Sequence, residues 1–270
     1  MASGSSDPFD PNTLFEHVQD GHSFHFPGEI HLSVPAPLTK FMVLEVIAAV
    51  LVAAAFIWLA GRCRDGRAPR GRMWNLLEAM LLFIRDQVAR PAIGRHDADK
   101  FLPYLWTLFF FVLACNLLGM VPWAGSPTGA LAVTGALALI SFMVTVGAGM
   151  MKMGPVGFWT GQVPHMDLPF VLAIVLKPMI FVLEVGGLFI KHGVLAIRLL
   201  ANIMAGHLVL GVIMGFIALT AGSAIWYGVM PLSLFGATAI SLLELFVAFL
   251  QAYIFVFLSA LFIGMAVHPH

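Results

Sequence analysis

Between Leu183 and Leu210, a run that is otherwise almost wholly apolar carries Glu184, Lys191, Arg198, Asn202 and His207. A helix turns about 100° per residue, so Glu184, Lys191 and Arg198, spaced by seven, drift only about 20° per step and share one stripe. Asn202 lies about 40° off that stripe, and His207 near the opposite face. Further on, Glu244 and Gln251 are again seven apart. An Arg at the centre of a bilayer costs roughly 2.5–3.5 kcal/mol on insertion scales, so an intramembrane ionisable group is a functional candidate by default. The plainer alternative is that Lys191 and Arg198 snorkel to the interface or neutralise Glu184, but Arg198 is far from any polar flank. Histidine titrates near neutrality and, beside a glutamate, can relay protons, since each group shifts the other's pKa. Arginine keeps its proton in proteins. Arg198 therefore serves as a fixed positive charge that favours the ionised form of an approaching carboxylate and repels mobile cations, which is the chemistry of a barrier between two ion-access paths.

The composition says what must hold these groups. Of 270 residues, 60% are hydrophobic and 10% are charged, with mean hydropathy +0.94; a soluble domain is about 25% charged. The chain reads as an all-α polytopic membrane protein. Its 14 basic and 14 acidic residues balance, which gives no pull towards nucleic acid. Cys63 and Cys115 are too few and too dispersed for a disulfide framework, and no CxxC or HExxH spacing marks a metal site. No cofactor is called for.

Taken in order, residues 1–37 are polar and rich in His and Pro, with no basic region followed by an apolar stretch, so they read as a solvated N-terminal segment, neither a cleavable signal nor a metal tract. Residues 38–60 form a first span, with Glu45 its one acid. Residues 61–100 hold nine of the 14 Lys and Arg. The positive-inside rule puts this segment in the cytoplasm and the N-terminus outside. Within it, Met73–Val88 sets Trp74, Leu77, Leu81 and Ile84 against Glu78, Arg85 and Asp86, as a helix lying along the interface does. Pro91 and Gly94 are expected to end it. Residues 101–151 form a helical hairpin, with Asn116 a polar group that needs a partner. Residues 152–169 read as a loop.

Residues 168–267 remain. Phe170–Leu219 spans about 75 Å at 1.5 Å per residue, more than twice the hydrocarbon thickness of about 30 Å. It is either a steep hairpin or one strongly tilted helix; basic residues at its midpoint favour the single helix. Leu232–Val267 is a second long helix, after an outer connection over 220–231. Five membrane helices result, the last two long, tilted and antiparallel, with the C-terminus in the cytoplasm. Such a pair would bring Arg198, Asn202 and His207 opposite Glu244 and Gln251.

Arg198-Leu-Leu-Ala-Asn202-Ile-Met-Ala-Gly-His207 closely resembles the R-L-x-x-N-x-x-A-G-[EH] signature of the subunit a family of F-type ATP synthases. Asn116-Leu-Leu-Gly-Met-Val-Pro122 resembles that family's N-L-x-x-x-x-P element, and Glu184 matches an acidic position fourteen residues before the arginine. His207 paired with Glu244 is one of the family's two coupled arrangements; Lys191-His192 departs from the Lys-Pro of many members. The resemblance implies a stator subunit of the membrane sector that faces a ring of c subunits and is tied to peripheral stalk b subunits and the other synthase subunits. Protons would enter one half-channel, protonate a ring carboxylate and leave by an offset half-channel after nearly a full turn. Arg198 would part the two paths, and Glu244, His207, Asn202, Gln251, Glu184 and Asn116 would line them or hold Arg198. ATP chemistry would happen elsewhere, since the chain lacks GxxxxGK[ST] and has no catalytic site of its own. The lipid surround would be an energy-transducing membrane, a bacterial inner membrane fitting best.

Three rivals fit less well. A secondary transporter would show related halves, whereas the basic segment occurs once. A membrane enzyme would show a catalytic cluster. A plain anchor would have no use for Arg198.

Overall fold

The computed structural model describes residues 23–26, 30–33, 39–63, 71–121, 127–162 and 170–268. In chain order they form β1 (Ser23–Phe26), β2 (Ile30–Ser33), α1 (Lys40–Cys63), α2 (Arg72–Phe83), a π-helical turn (Ile84–Ala89), α3 (Arg90–Ile93), α4 (Ala98–Gly119), α5 (Leu131–Met153), α6 (Pro155–Gly161), α7 (Phe170–Leu219) and α8 (Trp226–Val267). Among the described residues, five helices are long and apolar enough to cross a bilayer: α1, α4, α5, α7 and α8. The chain is an all-α multi-pass membrane protein, and lipid explains why: a helix satisfies its backbone hydrogen bonds within itself.

Two short strands are the exception. They pair antiparallel with His25 opposite His31, inside the stretch read as a solvated segment. Their sequences, SFHF and IHLS, alternate with period two, a signal too short to stand out beside the helices.

Other boundaries moved for local reasons. Thr39 caps α1, its Oγ1 accepting from the Met42 N–H at 3.4 Å. Pro91 does not stop the amphipathic helix. It sits in the first turn of α3, where its missing N–H costs little, and Gly94, at φ 97°, makes the turn that ends the helix. The intervening π turn places Ile84, Val88 and Ala89 in the core. The loop expected over 152–169 contains α6, which starts at Pro155 after Gly154 at φ 79°. The last helix begins at Trp226, six residues earlier than expected, with Pro231 inside its second turn. Phe170–Leu219 is one unbroken helix of 50 residues.

The chain forms two compact units. Residues 1–54, 111–134 and 198–252 make the first. There Phe41 and Leu44 pack with Ala130, and Asn116 ties α4 to α8. Residues 55–110, 135–197 and 253–270 make the second. Its core joins Val146, Phe158 and Ala266. Ser141 and Ser259 meet at 2.9 Å between α5 and α8, and Trp106 donates to the Leu81 carbonyl at 3.0 Å. Asp97, 5% exposed, accepts from Lys152 at 2.7 Å and Lys100 at 3.0 Å, with His268 at 3.7 Å.

Hydrogen bonds from Lys152 and Lys100 hold the Asp97 carboxyl down from its ordinary 3.8 to about 2. A depressed carboxylate stabilises the fold above its unfolded pKa and loses that contribution as pH falls through the folded one. The Asp97 contribution is therefore constant from pH 5 to 8 and disappears between about pH 4 and 2. Acid titration of detergent-solubilised protein followed by circular dichroism checks this: Asp97→Asn should lower stability at neutral pH and flatten the fall between pH 4 and 2.

Candidate functional site

The site is organised by α7. Glu184, Lys191 and Arg198 are all solvent- or lipid-exposed, on one stripe as their spacing predicts. Lys177 belongs to the same series: it lies seven residues before Glu184 and is exposed. The sevenfold spacing alone is enough to place it there. The opposite requirement, a face that packs, falls to Leu195, Ala196, Leu199 and Ile203, all buried. Every ion pair recorded among the described residues lies off α7. Arg198 thus presents an uncompensated positive charge, among the described residues, near the middle of a helix whose apolar neighbours Val194 and Ile197 are also exposed.

Several of the remaining groups sit in the first unit. Glu244 on α8 packs its carboxylate directly against Gly206, so any Cβ at 206 would run into Oε1. Only a glycine lets the carboxylate come this close to the helix that carries His207. His207 follows Gly206 directly and is half-buried. Among the described residues no hydrogen bond or ion pair joins His207 to Glu244 directly. Asn202 is half-buried. Gln251 is 4% exposed, and its Nε2 has no partner among the described residues. A buried amide without a partner costs of order 1–3 kcal/mol, which makes it a place for a water molecule.

Asn116 is fully buried and satisfied. Its Nδ2 donates to the Ala248 carbonyl at 3.3 Å, and its Oδ1 accepts from Thr128 Oγ1 at 3.1 Å. The partner it needed is thus the backbone of α8. Asn116 thereby ties α4 to α8.

In the second unit a cavity of about 610 Å³ is lined by Glu184 and Lys191 from α7 and by Phe262, Met265 and His268 near the end of α8. Beside it, His192 is buried. Its Nδ1 donates to Leu188 O at 2.9 Å, its Nε2 lies 3.5 Å from Thr145 Oγ1, and its ring packs against Phe142 and Phe262. His192 therefore joins α7 to α5. Sequence gave no sign of this role, because Thr145 is 47 residues away.

The residues form no group of three or more metal ligands among those described. What they can do is move or repel charge: the fixed cation of Arg198, titratable His and Glu side chains and, among the described residues, a Gln251 amide without a partner.

The family described as "ATP synthase A chain" matches residues 42–264. "ATP synthase subunit a" of Myxococcus xanthus (strain DK1622) is 43% identical over 256 residues, covering 92% of this chain and 80% of the relative. "ATP synthase subunit a" of Chloroherpeton thalassium is 39% identical over 275 residues, covering 96% and 78%. "ATP synthase subunit a 2" of Chlorobaculum tepidum is 38% identical, covering 94% and 72%. The chain belongs to the ATP synthase A chain family, and ATP synthesis, ion transport and a membrane location come with that membership.

Interhelical hydrogen bonds in membranes average about 0.6 kcal/mol and reach about 1.7. Asn116→Leu removes two at once and should destabilise the protein by roughly 1 kcal/mol, read as a lower melting temperature in detergent. Thr128→Val should cost less, and combining the two should cost less than their sum, because they share one bond.

Proposed function

We propose that this chain is the proton-translocating stator subunit of a rotary ATP synthase, with two offset half-channels parted by Arg198. The observation that carries this reading is the exposed Arg198, without an ion-pair partner among the described residues, in an apolar helix of 50 residues. A cation that cannot lose its proton, left open in hydrocarbon, calls for an anion delivered from outside the chain. A ring of c subunits, each presenting a carboxylate, supplies that anion in turn.

The physics of the step follows. A deprotonated ring carboxylate that reaches Arg198 is held ionised by the guanidinium. Once it moves on into lipid it must be neutral, because a bare carboxylate there is costly. It therefore has to take a proton from one side and give one up on the other. His207 and Glu244 supply titratable groups on one path, with Gln251 and Asn202 offering hydrogen bonds to water. Glu184 and Lys191 stand at the cavity that serves the other. Along α7, Lys191 precedes Arg198 by about two turns and His207 follows it by about two and a half. A proton passing straight between the groups on either side would have to cross the arginine, whose charge repels it. The driving energy is about 2.3 kcal/mol per charge per 100 mV.

In this reading the subunit contacts the c ring and the b subunits of the peripheral stalk. The basic segment 61–100 faces the cytoplasm, and the N-terminus lies outside a bacterial inner membrane. Nucleotide chemistry belongs to other subunits.

The test is ATP-driven acidification of membrane vesicles. Arg198→Ala should abolish it while the complex still assembles. Pumping at the wild-type level in that variant would overturn the proposal and return Arg198 to a structural role.

A further inference from the structure

The C-terminal end of α8 is held by three separate features, all in the second unit. Gly264 crosses α3 backbone to backbone: a Cβ there would meet the Ala92 carbonyl oxygen, with the carbonyl carbon at 2.9 Å. Gly149 on α5 leaves room for the ring of Phe158 and, at 3.1 Å, for the Ala266 carbonyl. Contacts this close leave the helix end little freedom to slide or rotate. The third feature is ionic. Asp97, just before α4, gathers Lys152 from the end of α5, Lys100 from α4 and His268 just past α8. The result is that Ile263, Ala266 and Val267 are buried, Val267 to 4% exposed.

This seating has a consequence for the cavity. Phe262, Met265 and His268 form its α8 wall, while Glu184 and Lys191 stand on α7. If the terminal turn of α8 came off its seat, it would fray into the space that it now bounds. The turn is the last of α8, and among the described residues the hydrogen-bond ladder closes with the His268 N–H to Gly264 O. On the far side the Asp97 carboxylate reaches this end through His268 at 3.7 Å.

We propose that Asp97 is a positioning residue for ion translocation: by gathering Lys152 and His268 it seats the last turn of α8 on α3 and so keeps open the cavity in which Glu184 and Lys191 stand. The seating claim is independent of the proposed function. Only its effect on pumping rests on that reading.

The experiment uses the assembled complex in membranes, with Cys63 and Cys115 replaced by serine and Val267→Cys as a reporter. A membrane-impermeant thiol reagent is applied at neutral pH. With Asp97 present, Val267→Cys should be protected. With Asp97→Asn it should react at least tenfold faster, and with Asp97→Glu, which keeps a carboxylate for Lys152 and His268, it should stay protected. ATP-driven pumping should fall several-fold in Asp97→Asn and stay near wild type in Asp97→Glu. If Asp97→Asn fails to assemble, Lys152→Gln takes its place and should speed labelling several-fold. An unchanged labelling rate overturns the proposal, whether or not pumping falls. Faster labelling with unchanged pumping overturns the claim on translocation and leaves the seating. Failure of the proposed function would show instead as pumping that survives Arg198→Ala, with the labelling pattern intact.

Discussion

A guanidinium on an apolar helix is the constraint from which the other features follow. Arg198 cannot discharge itself, and on insertion scales its position costs roughly 2.5–3.5 kcal/mol. The chain contains acids that could neutralise it, yet none is paired with it among the described residues. The ion pairs that are present, such as Asp97 with Lys152 and Asp86 with Arg90, lie off α7. A structural arginine would have been given such a partner. Leaving the charge open makes sense where the partner arrives from another molecule and departs again.

Holding an open charge in place puts demands on the rest of the helix. The face of α7 that packs, with Leu195, Ala196, Leu199 and Ile203, determines where the charged stripe points. Apolar packing against neighbouring helices is weakly directional in lipid, because lipid tails are as apolar as leucine. Direction comes instead from polar pins and close approaches: His192 against Thr145, Ser141 against Ser259, Asn116 against Ala248, and Gly206 against Glu244. Each is modest in energy. Each also admits only one register, since a buried polar group displaced from its partner is left unsatisfied.

Much of this was legible in the residues. The five apolar spans, the unbroken 50-residue helix and the sevenfold stripe of Glu184, Lys191 and Arg198 all follow from periodicity and length, which act locally. Proline and glycine were read less well. Pro91 was expected to end a helix that instead runs through it, because a proline in a first turn loses little. Gly264 carries no signal at all until a second helix is laid against it, and Gly206, a position of the family signature, shows its physical reason only there. The Asp97 cluster joins residues 3, 55 and 171 positions apart in sequence, a pattern that no period describes. The same holds for the site: the residue types were visible, but the sequence could not tell that Asn116 is satisfied and Gln251 is not.

Passive proton conduction is the measurement closest to the central claim, that Arg198 is the barrier between two access paths. Vesicles bearing the membrane sector stripped of its nucleotide-binding part would be given an imposed potential, and the inward flux of protons followed with a pH-sensitive dye. If Arg198 is the barrier, Arg198→Ala should conduct faster than wild type, and Arg198→Lys should stay close to it by keeping a positive charge. Equal or slower conduction through an assembled Arg198→Ala sector would contradict the account, because removing a barrier charge cannot leave the path as tight as before.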